Sequence, residues 1–139
     1  MLKNIPEIIS PDLMHALMSM GHGDEIVLAD ADFPSVSKAR RLVRLDGMRI
    51  EPLLEAILPF FPLDRFVEHS TIAMDCSEWG YEPEAYERYR KVLRKHDQKF
   101  NGFELVKRFS FYERATHAYA VVATSESDGN LILKKGPVM

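Results

Sequence analysis

Residues Ile26, Val27, Leu28 and Ala29 form an unbroken apolar run between Glu25 and Asp30. The run is too short for a helix and has no polar residue to turn toward water. A strand built from it must be covered on both faces, as the strands of mostly parallel sheets are. Such a sheet needs helices from the same chain, and the sequence supplies them. Ser10–Pro11–Asp12 reads as a helix start, with Ser as N-cap and Pro at the first helical position. Leu13, Met14, Leu17 and Met18 then form one stripe, and Gly21 follows as the C′ residue. Glu51–Phe60 repeats the stripe with Leu53, Leu54, Ile57 and Leu58, and Pro59 and Pro62 stop it. Glu84–Lys95 places Ala85, Tyr89, Val92 and Leu93 on one side. Further strands are expected at Leu42–Leu45, Phe66–Met74, Phe103–Ser110, Tyr119–Thr124 and Leu131–Lys135, with a loop over Ala31–Ser37 and a short helical or turn segment over Phe111–His117. The pattern predicts an α/β fold: a single layered domain over residues 1–139, its central, mostly parallel sheet flanked by helices.

Composition narrows the function classes. The formal net charge is −3, and Lys and Arg are scattered. The one basic cluster, Lys38, Arg40, Arg41 and Arg44, reads as a solvated face. Neither nucleic acid nor an anionic membrane is an expected partner. No apolar run approaches the roughly 20 residues of a membrane span. Pro6 and Pro11 interrupt the N-terminal apolar residues, so no secretory leader is legible and a cytoplasmic protein is expected. The single cysteine, Cys76, excludes an internal disulfide and a cysteine metal cage, and reads as a packing residue.

The chemistry-bearing residues lie at the ends of the strands. His22 stands between Gly21 and Gly23 at the mouth of the first strand, and Asp30 and Asp32 follow at its far end. A histidine on permissive backbone beside a carboxylate makes an acid/base pair. The alternative is an imidazolium that only satisfies a helix C-terminus. Asp30 ends a strand at the edge where α/β sheets bind ligands, or else caps a loop. His22, Asp24, Glu25 and Asp30 lack the spacing of a metal motif, so no metal is expected. Within Phe103–Ser110, strand alternation puts Val106, Arg108 and Ser110 on one side, and Arg108 there needs a carboxylate or a polar ligand. Tyr112 and Glu113 line the same region or simply pack and solvate. Tyr119 is a further candidate pocket residue, and Gly129–Asn130 is a turn before the last strand.

Four segments in order, MGHGDE from Met20, ADADFP from Ala29, RFSFYERA from Arg108 and GNLILKKG from Gly129, resemble the L-fucose mutarotase / D-ribose pyranase family. RFSFYERA is closest to the fucose branch. The resemblance implies a cofactor-free isomerase that interconverts the anomers of a reducing monosaccharide. It implies His22 as the catalytic residue, with Asp30, Arg108, Gly129 and Asn130 binding sugar. Asp128 stands where the family's sugar-binding turn has a tyrosine, which bears on substrate identity. The resemblance also implies a homo-oligomeric ring, often a decamer, with sites near subunit contacts. The chemistry is consistent: the anomeric hydroxyl loses a proton while the ring oxygen gains one, the open-chain aldehyde turns and recloses, and general acid–base catalysis supplies roughly 10²–10⁴-fold. A non-catalytic sugar-binding protein is the alternative, motivated by Asp128.

Overall fold

In the computed structural model, which describes residues 1–139, the apolar run lies in strand β1 (Glu25–Ala29), and Ile26 to Ala29 are all fully buried. Around it run α1 (Pro11–Ser19), α2 (Ser35–Lys38), β2 (Leu42–Leu45), α3 (Ile50–Ile57), β3 (Thr71–Met74), α4 (Ala85–His96), β4 (Glu104–Val106), α5 (Arg108–His117), β5 (Ala120–Thr124) and β6 (Leu131–Lys134). The six strands form one sheet in the order β2-β5-β1-β6-β3-β4. β1 pairs parallel with β5 and antiparallel with β6, and β6 also pairs antiparallel with β3. With β2–β5 and β3–β4 both parallel, β6 alone runs against the other five strands. The sheet is therefore mixed but mostly parallel.

Strand alternation divides the core into two layers. Ile26 and Leu28 of β1, Leu131 and Leu133 of β6, and Ala120 and Val122 of β5 pack with Leu13, Leu17, Leu53, Leu54, Tyr89 and Leu93 of α1, α3 and α4. Val27, Ala29, Ile132 and Val121 face the other way, onto Phe33 and the α5 residues Phe111 and Ala115. Each fully buried aliphatic side chain contributes about 1.5–3 kcal/mol. The doubly apolar character of β1 is thus what places helices on both faces.

Several expectations are corrected. The α1 stripe is Leu13, Ala16, Leu17 and Met20, and Met18 is 80% exposed. The third strand is Thr71–Met74 only, and Phe66 is exposed. A short helix, α2, begins inside the expected loop Ala31–Ser37 and runs one residue past it, to Lys38. The most consequential correction concerns Arg108, which does not sit in a strand. β4 stops at Val106, and Arg108 opens α5 after Lys107 as N-cap. The buried pair Phe111 and Ala115, spaced i and i+4, fixes that segment as helix. No helix is long and apolar enough to cross a membrane.

Glu126 ties the layers together at one edge. It is 2% exposed and its Oε1 accepts the N–H of Ile50, at the start of α3, at 3.1 Å. Its Oε2 lies 3.4 Å from Arg88 and 3.8 Å from Arg49. Glu126→Ala strands a buried helix-start N–H and removes a buried carboxylate from beside Arg88 and Arg49, so it is expected to cost about 2–4 kcal/mol. Scanning calorimetry should show the melting temperature falling by roughly 6–12 °C.

Candidate active site

The two ends of β1 carry two separate groups of polar residues. At the start, α1 ends at Ser19 with Met20 as its C-cap, and a tight turn over Gly21–Asp24 leads into the strand, with Asp24 Oδ2 accepting the Gly21 N–H at 2.7 Å. Gly23 has φ +89°, a left-handed conformation that side chains resist, and its N–H donates to the Lys135 carbonyl at 2.8 Å. The turn is thereby pinned to β6 while His22 projects outward, its side chain 48% exposed. Its Nε2 lies 3.1 Å from Asp64 Oδ1, and its ring centroid lies 5.5 Å from that of Phe66.

Asp64 is held as firmly as His22 is exposed. Its N–H donates to the Lys134 carbonyl at 3.0 Å, and Leu63 bridges to Lys135, so the segment docks beside the end of β6. Its Oδ1 also accepts the Phe66 N–H at 3.0 Å. Burial alone would raise the Asp64 pKa, but the Phe66 N–H and the His22 ring outweigh it, helped by the Lys134 charge, and hold the carboxyl below its ordinary 3.8. An ionised carboxylate only accepts hydrogen bonds, so the imidazole carries its hydrogen on Nε2 and leaves the Nδ1 lone pair free. No group within the chain bonds Nδ1. Because the folded-state pKa lies below the unfolded one, the carboxylate's stabilisation is complete above about pH 4 and is lost as pH falls through the folded value. Asp64→Asn is therefore expected to flatten the acid limb of a denaturant-midpoint-versus-pH profile below about pH 4.

At the other end of β1, Asp30 is 7% exposed. Its Oδ2 accepts the Gly129 N–H at 3.0 Å, its Oδ1 accepts the Asp32 N–H at 3.1 Å, and its own N–H donates to Asn130 Oδ1 at 2.7 Å. Gly129 is obligatory: φ is +129°, and a Cβ there would meet Ala85 Cβ and the Tyr89 hydroxyl at 3.2 Å. Burial raises the Asp30 pKa against the N–H bonds of Gly129, Asp32 and Phe33, and the Asp128 charge adds to the rise. A cleft of about 420 Å³ opens beside it, lined by Phe33, Ser35, Arg44 and Thr124 among others. The Phe33 ring packs edge-on against Tyr112, with centroids 5.4 Å apart. Tyr112 in turn accepts from Arg108 Nε through its hydroxyl at 3.3 Å. Asp30, Asp128, Gly129, Asn130, Arg108 and Tyr112 thus gather at one sheet edge.

The model of the RbsD/FucU transport protein family matches residues 3–138. This chain belongs to the RbsD/FucU family. It is 48% identical to a fucose mutarotase of Mus musculus, over 97% of this chain and 94% of the relative. It is 45% identical to an L-fucose mutarotase of Glaesserella parasuis, over 98% and 95%. Its fold superposes with a TM-score of 0.92 on the fucose mutarotase of Streptococcus pneumoniae in complex with L-fucose, at 47% identity and covering 99% of this chain and all of that one.

Within one RbsD/FucU chain the expected residues do not all meet. The five-residue strand β1, Glu25–Ala29, is about 16 Å long at about 3.3 Å per residue, and His22 and Asp30 lie beyond its opposite ends. Asp30 is therefore not the imidazole's partner in the same chain, and Asp64 is. Glu113 is exposed and pairs with His117 at 3.2 Å, away from Asp30. Tyr119 lies before the start of β5, at the His22 edge, stacked under Arg41 at 4.0 Å. No three His, Cys, Asp or Glu side chains converge to hold a metal ion. Asp64 and Phe66 stand in no motif and no periodic stretch of the sequence. The only local signal for them is a polar residue lodged after the Pro59–Pro62 helix stop.

Proposed function

We propose that this chain is an L-fucose mutarotase, interconverting the α and β anomers of the sugar by ring opening and closing. The likeness to named fucose mutarotases supports the reaction class. The observation that carries the reading is His22: a half-exposed imidazole with Nε2 committed to a buried carboxylate and Nδ1 free. In that arrangement Asp64 orients the ring and stabilises its cationic form, as a carboxylate behind a catalytic histidine does. Nδ1 takes the anomeric hydroxyl proton while the C1–O5 bond breaks and the C1 carbonyl forms. The ring oxygen receives a proton from solvent water in the same event, and the imidazolium then returns its proton to that water. Rotation of the open-chain aldehyde about C1–C2 and reclosure give the other anomer. The C1–O5 bond breaks and re-forms within the sugar, with no redox change and no group transferred, so the proposal needs no cofactor.

Asp30, Asn130 and Arg108 are proposed to hold the sugar hydroxyls. Because His22 and Asp30 sit at opposite ends of β1, one site uses His22 of one copy with Asp30 of another. The working protein is therefore proposed to be a homo-oligomer with its sites at subunit contacts; a decameric ring is the form the family resemblance implies, and a cytoplasmic location belongs to the same proposal. Magnetisation-transfer NMR on L-fucose tests the reaction: added protein should accelerate α/β exchange. An unchanged exchange rate would reject the proposal for that sugar, and binding without acceleration would leave a non-catalytic sugar protein.

A further inference from the structure

The loop between β3 and α4 presents two half-exposed aromatic rings, Trp79 and Tyr81, each 48% exposed. Trp79 makes no side-chain hydrogen bond, whereas the Tyr81 hydroxyl donates to Asp128 Oδ2 at 3.0 Å. Asp128 is followed directly by Gly129, whose N–H holds Asp30, and by Asn130, which accepts the Asp30 N–H. The Tyr81 hydroxyl is thus tied, through two residues of one turn, to the carboxylate proposed to hold sugar.

We propose that Tyr81 is a sugar-contacting, specificity-determining residue of this site, acting with Asp128 as a paired acceptor for neighbouring hydroxyls of the monosaccharide. This rests on the mutarotase reading and deepens it. With its hydrogen given to Asp128, the phenol oxygen keeps its lone pairs for a sugar hydroxyl. Asp128 Oδ1 has no partner within the chain and offers a second acceptor beside it. Two adjacent acceptors suit a vicinal diol, the recurring unit of a monosaccharide. The exposed ring face adds an apolar wall against which sugar C–H groups pack. Burial, reinforced by the hydrogen bond and charge of Asp128, pushes the Tyr81 phenol up to about 12, so it stays protonated and the pairing survives across the working pH range.

The test compares wild type, Tyr81→Phe and Tyr81→Leu by exchange NMR and calorimetry, using L-fucose and its monodeoxy analogues. Tyr81→Phe keeps the ring and removes the oxygen, so KM and Kd for L-fucose should rise roughly tenfold with kcat held within about twofold. Tyr81→Leu should lose more, having lost the ring as well. Wild type should discriminate against the analogue lacking the contacted hydroxyl, and Tyr81→Phe should not. An active wild type whose Tyr81→Phe variant shows unaltered KM, Kd and analogue profile overturns this inference alone. So does a fall in kcat at constant KM and Kd. A wild type that neither binds L-fucose nor speeds its exchange overturns the mutarotase reading and this inference together.

Discussion

His22→Ala is expected to lose roughly 10²–10⁴-fold of the protein-dependent rate of L-fucose anomer exchange, the range a single positioned acid/base group supplies. The loss should fall on kcat, because the imidazole moves a proton at the anomeric centre and other residues hold the hydroxyls. The fold should be untouched: the side chain is half exposed, and the turn beneath it is fixed by the Gly23 and Asp24 backbone. Asp64→Asn gives a graded companion. An amide can still bond Nε2 but cannot stabilise the imidazolium as a carboxylate does, so kcat should fall less than in His22→Ala. A His22→Ala protein exchanging L-fucose at more than about half the wild-type rate would show that another group carries the proton.

The parts of the molecule legible in the sequence are those governed by short-range periodicity. Ile26–Ala29 announced a doubly covered strand, and Leu53, Leu54 and Ile57 announced the helix that covers one face; both are fully buried. Arg108 lies where short-range periodicity misleads. Val106, Arg108 and Ser110 alternate over too few residues to distinguish a strand from the first turn of a helix. What decides the matter is Phe111 and Ala115, which must reach Val27, Ala29 and Phe33 across the sheet. β4 has only three residues, and its pairing with β3 arises from the sheet rather than from its own propensity. The partner of His22 was hidden for the same physical reason. Asp64 lies 42 residues away in a segment without periodicity, and it reaches the imidazole only because Leu63 and Asp64 dock on the end of β6. Asp30 was visible as a strand-end carboxylate; its binding by Gly129 and Asn130, about a hundred residues on, was not.

The separation of His22 from Asp30 yields the second large effect. Each of His22→Ala and Asp30→Asn should be nearly inactive alone, the first for want of the proton carrier and the second for want of the carboxylate. Co-expressed with different tags and purified as hybrids, the two should recover activity. In a site made of His22 from one copy and Asp30 from its neighbour, an intact pair forms when an Asp30→Asn chain lends its His22 to a His22→Ala chain lending its Asp30. Random assortment in a closed ring makes that about a quarter of the sites. Simply mixing the two preformed variant proteins, without subunit exchange, should recover nothing. Were both groups drawn from a single chain, every chain in the hybrid would lack one of them and no proportion of the two would restore exchange. The strand forbids that arrangement physically: a paired β1 cannot fold its two ends together without giving up its hydrogen bonds to β5 and β6, the centre of the sheet. Hybrids as inactive as their parents, or a chain that sediments as a monomer while fully active, would refute the shared site.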